Sequence, residues 1–143
     1  METGIKVGDC MTTKLVTISG KASIIDAARK MNECDVGSLL VTDSKQKIYA
    51  IATESDLVRK ALSTGNLNHE IKDVASFPLL TVPATSDVSQ AAKLMGKKSI
   101  KRLIVVSAGK IAGIISSKDI VRISPSLYDL IAEQQRIKAE IPA

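Results

Sequence analysis

The sequence predicts a mixed α/β (α+β) fold: two pseudo-symmetric β-α-β-β-α repeats packed together, followed by one C-terminal helix. Three observations carry this expectation. The chain matches itself at a nearly constant spacing, apolar patterning changes from strand-like to helix-like in the same order in both copies, and the composition suits a packed domain. With 143 residues, 45% hydrophobic and 24% charged, a chain of this size buries roughly 68–70% of its unfolded surface. Disordered and fibrous classes are excluded. No apolar run approaches the ~18 residues that cross a bilayer. The start, METGIKVGDCMTT, lacks a basic-then-apolar leader, so a cytoplasmic protein with no membrane contact is expected.

The repeat sets the elements in order. With Asp9 over Asp73, an offset of 64, Leu15 falls on Leu79, Thr17 on Thr81, Ala27-Ala28 on Ala91-Ala92, Met31 on Met95 and Val41 on Val105. One deletion near Gly109 changes the offset to 63, after which Ile51 meets Ile114 and Asp56 meets Asp119. The copies therefore span 7–62 and 71–124, with a polar linker over 63–70. Leu15 to Ile18 and Leu79 to Val82 are short β-prone runs. Ser23-x-x-Asp26 and Asp87-x-x-Gln90 are capping-box patterns opening a helix. Ile24, Ala27, Ala28 and Met31, and their twins Val88, Ala91, Ala92 and Met95, recur at helical spacing and form an apolar stripe. Buried strands follow at Ser38 to Val41 and Leu103 to Val106; turns at Asp43 to Lys45 and Ala108 to Lys110 lead into Ile48 to Ala52 and Ile111 to Ile115. A second helix starts at Thr53 or Ser116.

Ser126-x-x-Asp129 opens the last helix, over 126–141, with Leu127, Leu130, Ile131, Ile137 and Ile141 as a partial apolar stripe. Folding back on its own domain and packing on a second subunit both fit that stripe, which Gln134 and Gln135 interrupt.

Charge and rare residues narrow the chemistry. Residues 1–70 hold nine basic and nine acidic side chains, and residues 71–143 hold eleven and six, so the whole net charge of +5 lies in the second half. Its densest piece is Lys93, Lys97, Lys98, Lys101 and Arg102, a local focus suited to a small anion or a nucleic-acid phosphate. Cys10 and Cys34 have neither disulfide-framework nor zinc spacing. The one histidine, His69, lies in a polar stretch, so triad catalysis has no base to run through. There is no phosphate loop of the G-x-x-x-x-G-K-[ST] type and no metal-ligand cluster. The chain is read as no enzyme, with no catalytic cofactor and no metal.

The most specific local feature is Ala50 to Asp56 and its twin Gly113 to Asp119. In each, an apolar strand ends at a hydroxyl residue, Thr53 or Ser116, and an aspartate follows three positions on. A single such junction is no more than a capping box. Two at matched positions after a strand are more informative, because a helix start offers amide N–H groups and a partial positive charge. An Asp there accepts from vicinal hydroxyls, while the neighbouring hydroxyl and amides serve phosphate oxygens. Ribose plus phosphate uses both.

The duplicated unit ending in small-apolar-apolar-[Thr/Ser]-x-x-Asp resembles a tandem pair of CBS domains, a Bateman module, over about residues 7–124. The resemblance implies a non-catalytic regulatory module. Such modules bind adenosine nucleotides (AMP, ADP, ATP) or S-adenosylmethionine in clefts between the repeats, commonly form homodimers, and signal to a partner protein, here unidentified. By position, Asp56 and Asp119 would hold ribose hydroxyls. Thr53 and Ser116 would contact ribose or phosphate, with Ser55 and Lys118 beside them, and Ile51 and Ile114 would pack on adenine. The segments before the central strands, Val36-Gly37-Ser38 and Ile100-Lys101-Arg102, would line the ligand, as would Thr13 and Phe77 ahead of the first strands. Lys101 and Arg102 match a phosphate-gripping basic pair; Gly37 and Ser38 do not, and Ala50 stands where relatives usually have Gly. Two unequal sites are therefore expected. The competing expectation is a nucleic-acid-binding or constitutive protein-interaction module using the basic second half, although Tyr49, Phe77 and Tyr128 are the only aromatic residues available for base stacking.

Overall fold

The computed structural model of the chain describes residues 2–140. It divides into two compact units. An early unit is made of Leu15–Leu79; a late unit joins Leu80 onward to the first fourteen residues. The early unit contains β1 (Thr17–Ser19), α1 (Ile24–Cys34), β2 (Ser38–Thr42), β3 (Ile48–Thr53) and α2. This last element starts as Glu54–Asp56, widens into a π turn over Leu57–Ala61 and tightens over Leu62–Thr64. The late unit repeats the order with β4 (Thr81–Pro83), α3 (Val88–Lys98), β5 (Arg102–Ser107), β6 (Lys110–Ser116) and α4 (Ser117–Ile123), and adds α5 (Ser126–Glu140). Each unit has a three-stranded sheet with its central-sequence strand in the middle, ordered β1-β2-β3 and β4-β5-β6. The first pair is parallel and the second antiparallel.

The expected apolar stripes build these units. Ile24, Ala27 and Met31 of α1 join Leu39, Val41, Ala50 and Ala52 in the early core. Val88, Ala91, Ala92 and Met95 of α3 join Leu103, Val105 and Ile115 in the late one. Ala28 departs from the stripe: it is exposed whereas its twin Ala92 is buried. The reason is α5, whose Leu127 and Ile131 enter the late core beside α3. The last helix thus folds back on its own unit; Ile141 and the side chains of Leu130 and Ile137 lie outside the described residues. The helix starts differ from simple capping boxes. Ser23 Oγ accepts the Asp26 N–H at 3.0 Å, but Asp87 accepts from Ser89, one residue short of Gln90. Both helices end in a left-handed residue, Asp35 (φ 52°) and Ser99 (φ 54°), and the next amide, Val36 or Ile100, bonds back to Met31 or Met95 at 3.0 Å.

Sequence copies and spatial units do not coincide. The segment leading each copy packs in the unit of the other. In the late unit Val7 N–H donates to Ser86 O, Gly8 N–H to Ala84 O and Val88 N–H to Ile5 O (2.8–2.9 Å). In the early unit Ile71 N–H donates to Ala22 O, Lys72 N–H to Gly20 O and Ile24 N–H to His69 O (2.7–3.0 Å). These are the same three bonds at the same twin positions. Val7 and Ile71, each fully buried, bring the leader's apolar side chain into the core it completes. Further along, Thr12 and Ile114 exchange both backbone bonds at 2.9 Å, and Ser76 and Ile51 do so at 2.8 and 3.1 Å.

Asp87 ties the late leader down. Its carboxylate accepts from Gly4 N–H (2.8 Å), Thr3 N–H (3.0 Å), Thr3 Oγ1 (3.1 Å), Ser89 N–H (2.9 Å) and Ser89 Oγ (2.6 Å). The Ser89 hydroxyl, then its amide, with the Thr3 and Gly4 amides adding to them against partial burial, hold this carboxyl well below its ordinary range. A depressed folded-state pKa contributes stability that is present above the ordinary carboxylate pKa of about 4 and lost as pH falls toward the folded value. Urea unfolding of Asp87→Asn should therefore give a lower midpoint than the parent at neutral pH. The gap should stay constant down to about pH 5 and close below about pH 4; a gap independent of pH would refute the assignment.

Gly113 accommodates the crossing leader. A Cβ there would meet Thr12 O at 2.5 Å and Met11 Sδ at 2.7 Å. At the twin position Ala50 carries that Cβ, and the twin of Met11 is the smaller Ala75. Gly113→Ala should cost about 1–3 kcal/mol through displaced backbone, read as a lower thermal midpoint; no change would show that the leader yields freely.

Candidate functional site

The expected site residues separate into two sets drawn from matching positions, one within each unit. In the early unit, β2 and β3 pair Ser38 with Thr53, and the Glu54 N–H donates to Gly37 O at 3.1 Å. The strand that crosses β3 brings Phe77 next to Ser76, the partner of Ile51. Asp56, Thr53, Ile51, Gly37, Ser38 and Phe77 thus gather around the end of β3. In the late unit, Arg102 pairs with Ser116, the Ser117 N–H donates to Lys101 O at 2.8 Å, and Thr13 follows Thr12, the partner of Ile114. Leader exchange therefore sorts the two positions ahead of the first strands crosswise: Phe77 goes with Asp56, and Thr13 with Asp119.

The remaining members take varied postures. Ser55 and Lys118 are exposed, each one residue before its aspartate. Phe77 is 69% exposed, whereas Ile51 is half-buried and Ile114 buried. Val36 and Ile100 lean on their own cores; beside them Ser38 is buried, Gly37 and Arg102 are half-buried and Lys101 is exposed.

Both aspartates close their own capping box. Asp56 Oδ2 accepts the Thr53 N–H at 3.0 Å and the Asp56 N–H returns to Thr53 Oγ1 at 3.2 Å. Asp119 Oδ2 accepts the Ser116 N–H at 2.9 Å and its hydroxyl at 3.0 Å, with the Asp119 N–H returning at 3.2 Å. This narrows the expectation of open amides at these helix starts. The amides of Glu54 and Asp56, and of Ser117 and Asp119, already have acceptors within their own unit, so the amides of Ser55 and Lys118 are the ones the expectation still concerns. What each box does supply is orientation. With Oδ2 held by the backbone, the carboxylate is fixed and its other oxygen, Oδ1, is directed away from the cap.

The two Oδ1 atoms have different neighbours. Asp56 Oδ1 meets Lys60 Nζ at 3.1 Å, and the same ammonium donates to Val74 O at 3.2 Å. Asp119 Oδ1 has Arg122 Nη1 at 3.9 Å, an ion pair without a hydrogen bond, from a side chain that is 75% exposed. Lys60 was not among the sequence candidates; its acid-base spacing of four from Asp56 was the available signal. Chemically, each set offers an oriented anion beside a strand end, and the late set adds three cationic side chains, Lys101, Arg102 and Lys118. Among the described residues no cluster of His, Cys, Asp and Glu is arranged to hold a metal ion, and no helix is long and apolar enough to cross a membrane.

Comparison with known proteins places this geometry. The family model described as "CBS domain" matches twice, over residues 7–63 and 71–126. An uncharacterised protein of Methanopyrus kandleri, MK0525, is 35% identical over 135 residues, covering 92% of this chain and 69% of its own length. An inosine-5'-monophosphate dehydrogenase of Nitrosopumilus maritimus is 35% identical over 114 residues, 79% of this chain but only 23% of that enzyme. Among solved structures, an uncharacterised conserved protein from Pyrococcus horikoshii superposes with a TM-score of 0.80 at 26% identity, covering 87% of this chain and 95% of the other. The CBS domain pair of protein MJ0100, in complex with 5′-methylthioadenosine and S-adenosyl-L-methionine, superposes with a TM-score of 0.75 at 25% identity, covering 85% and 97%. Two β-α-β-β-α copies, each ending in an oriented [Thr/Ser]-x-x-Asp corner and each matched by the same family model, show that the chain belongs to the CBS domain family and carries its domains as a tandem pair.

Proposed function

We propose that this chain is a non-catalytic regulatory module that binds an adenosine-containing ligand and signals to a partner protein. The observation that carries the reading is the duplicated corner itself. In both units an aspartate is locked by its own helix cap through Oδ2, with Oδ1 outside the cap, next to the segment preceding the middle strand and the leader crossing the outer one. An ionised carboxylate accepts from two adjacent hydroxyls, which makes the cis-diol of a ribose a fitting partner. Lys101, Arg102 and Lys118 suit phosphate oxygens in the late set. The complex of the MJ0100 pair with two adenosine derivatives supports the same ligand class. Signalling would follow from population shift, the ligand stabilising the arrangement of the chain that binds it better and the partner responding to that arrangement.

A second reading, phosphate-driven contact with nucleic acid, is favoured by the exposed Lys97, Lys98, Lys101 and Lys118, all in the late unit. The two are separated by paired measurements. Calorimetry with AMP, ADP, ATP, NADH and S-adenosylmethionine should give millimolar or tighter binding to at least one, and none to any would overturn the ligand reading. A gel shift with random RNA or DNA that weakens as salt rises would establish the second.

Site assignment has its own test. Asp119→Asn keeps an acceptor for the α4 cap, so it should fold, and Arg102→Ala changes a half-exposed side chain. Each removes one charge-assisted hydrogen bond, worth about 1.5–3 kcal/mol. Each should weaken ligand roughly tenfold or more, with little change in thermal midpoint. Unchanged affinity in both variants would refute the assignment.

A further inference from the structure

The two sets differ most at one position that family resemblance does not mark. Lys60 and its twin Ile123 each lie four residues after the aspartate. The Arg three residues after the aspartate is present in both copies, as Arg59 and Arg122; the basic residue at the fourth is not. Lys60 reaches back over its turn and places Nζ 3.1 Å from Asp56 Oδ1 and 3.2 Å from Val74 O. An isoleucine cannot make either contact, and among the described residues the cation next to Asp119 Oδ1 is Arg122 at 3.9 Å.

Local geometry is compatible with this contact. The segment after Asp56 is a π turn, Leu57–Ala61, in which the Leu62 N–H donates to both Leu57 O and Val58 O. Side chains four residues apart neighbour each other on a helical surface, and Lys60 stands over Asp56. In the late unit the same stretch is the regular helix α4. Val74 belongs to the early core, and its carbonyl gives the ammonium a second anchor. An exposed ion pair alone contributes little, but here the Asp56 side chain is only 12% exposed and the half-exposed lysine is held at two points.

We propose that Lys60 is a specificity-determining residue that occupies the uncapped oxygen of Asp56 and so sets the early set aside as the weaker of two ligand positions. The inference rests on the ligand reading above and deepens it. A ribose diol entering the early set must first displace the ammonium, whereas at Asp119 it meets an oxygen that carries no hydrogen-bonded cation among the described residues. The difference is independent of ligand phosphate, because it concerns the hydroxyl-accepting atom and not Lys101 or Arg102.

The test uses a phosphate-free probe, 5′-methylthioadenosine, with AMP in parallel, in calorimetric titrations of the full chain and of Lys60→Met, Arg59→Met and Asp119→Asn. The parent should bind one equivalent, with any second at least about tenfold weaker, the scale of one hydrogen bond to a charged group. Lys60→Met should bring the second equivalent to within a few-fold of the first. Arg59→Met removes the same charge from a neighbouring exposed side chain that does not touch Asp56 and should leave the gap unchanged. Asp119→Asn should abolish the tight event, leaving the weak one. Two equal equivalents in the parent, a gap that survives Lys60→Met, or a gap that closes equally in Arg59→Met would overturn the role of Lys60 while leaving the ligand reading standing. Absence of heat with either probe in all four proteins would overturn the ligand reading and the role of Lys60 together.

Discussion

Each core in this protein is closed by a chain segment that belongs, in sequence, to the other copy. The leader contributes a buried side chain to each core beside the sheet and its helices: Val7 in one unit, Ile71 in the other, each with no exposed surface. The exchange also decides which residues meet at each strand end. Phe77 comes to stand with Asp56, and Thr13 with Asp119, because their leaders cross the outer strands through paired backbone bonds at Ile51 and Ile114. The site make-up is thus a by-product of how the cores are closed.

Twofold repetition does not enforce equivalence. The late leader is tied by five donors on one carboxylate, Asp87, where the early unit has Ser23 and a single cap bond. The late unit carries α5 and buries Ala92; the early unit lacks that cover and exposes Ala28. Gly113 lets Met11 pass, whereas Ala50 stands opposite a smaller residue. At the corners the same cap geometry serves both aspartates, yet one faces a lysine anchored at two points and the other a loosely placed arginine. Duplication preserved the backbone bonds, which every copy must satisfy, and left side chains free to diverge where only local packing or charge was at stake.

On the ligand reading proposed above, those distinctions would bear on the response. Were the two positions to differ in affinity, the tighter would fill first and the weaker over a higher concentration range, so one chain would report on two levels of ligand. Cationic side chains at the late set and their absence at Gly37 and Ser38 extend the difference to ligand charge.

Much of this was legible in the sequence. The offset of 64 then 63, the helical stripes around Met31 and Met95 and the twin [Thr/Ser]-x-x-Asp corners determined fold class, element order and the family, because burial periodicity and capping are local properties that a side-chain pattern carries directly. Exchange of the leaders was not legible: residues 5–12 and 69–76 read the same whichever unit they cover, and only the tertiary arrangement assigns them. Nor was the closure of the helix-start amides on Gly37 and Lys101, or the reach of Lys60 over a π turn, since both depend on the angle at which a strand hands over to its helix. Local chemistry wrote the parts; which carboxylate oxygen is left without a hydrogen-bonded cation was decided by backbone paths that meet from distant points in the chain.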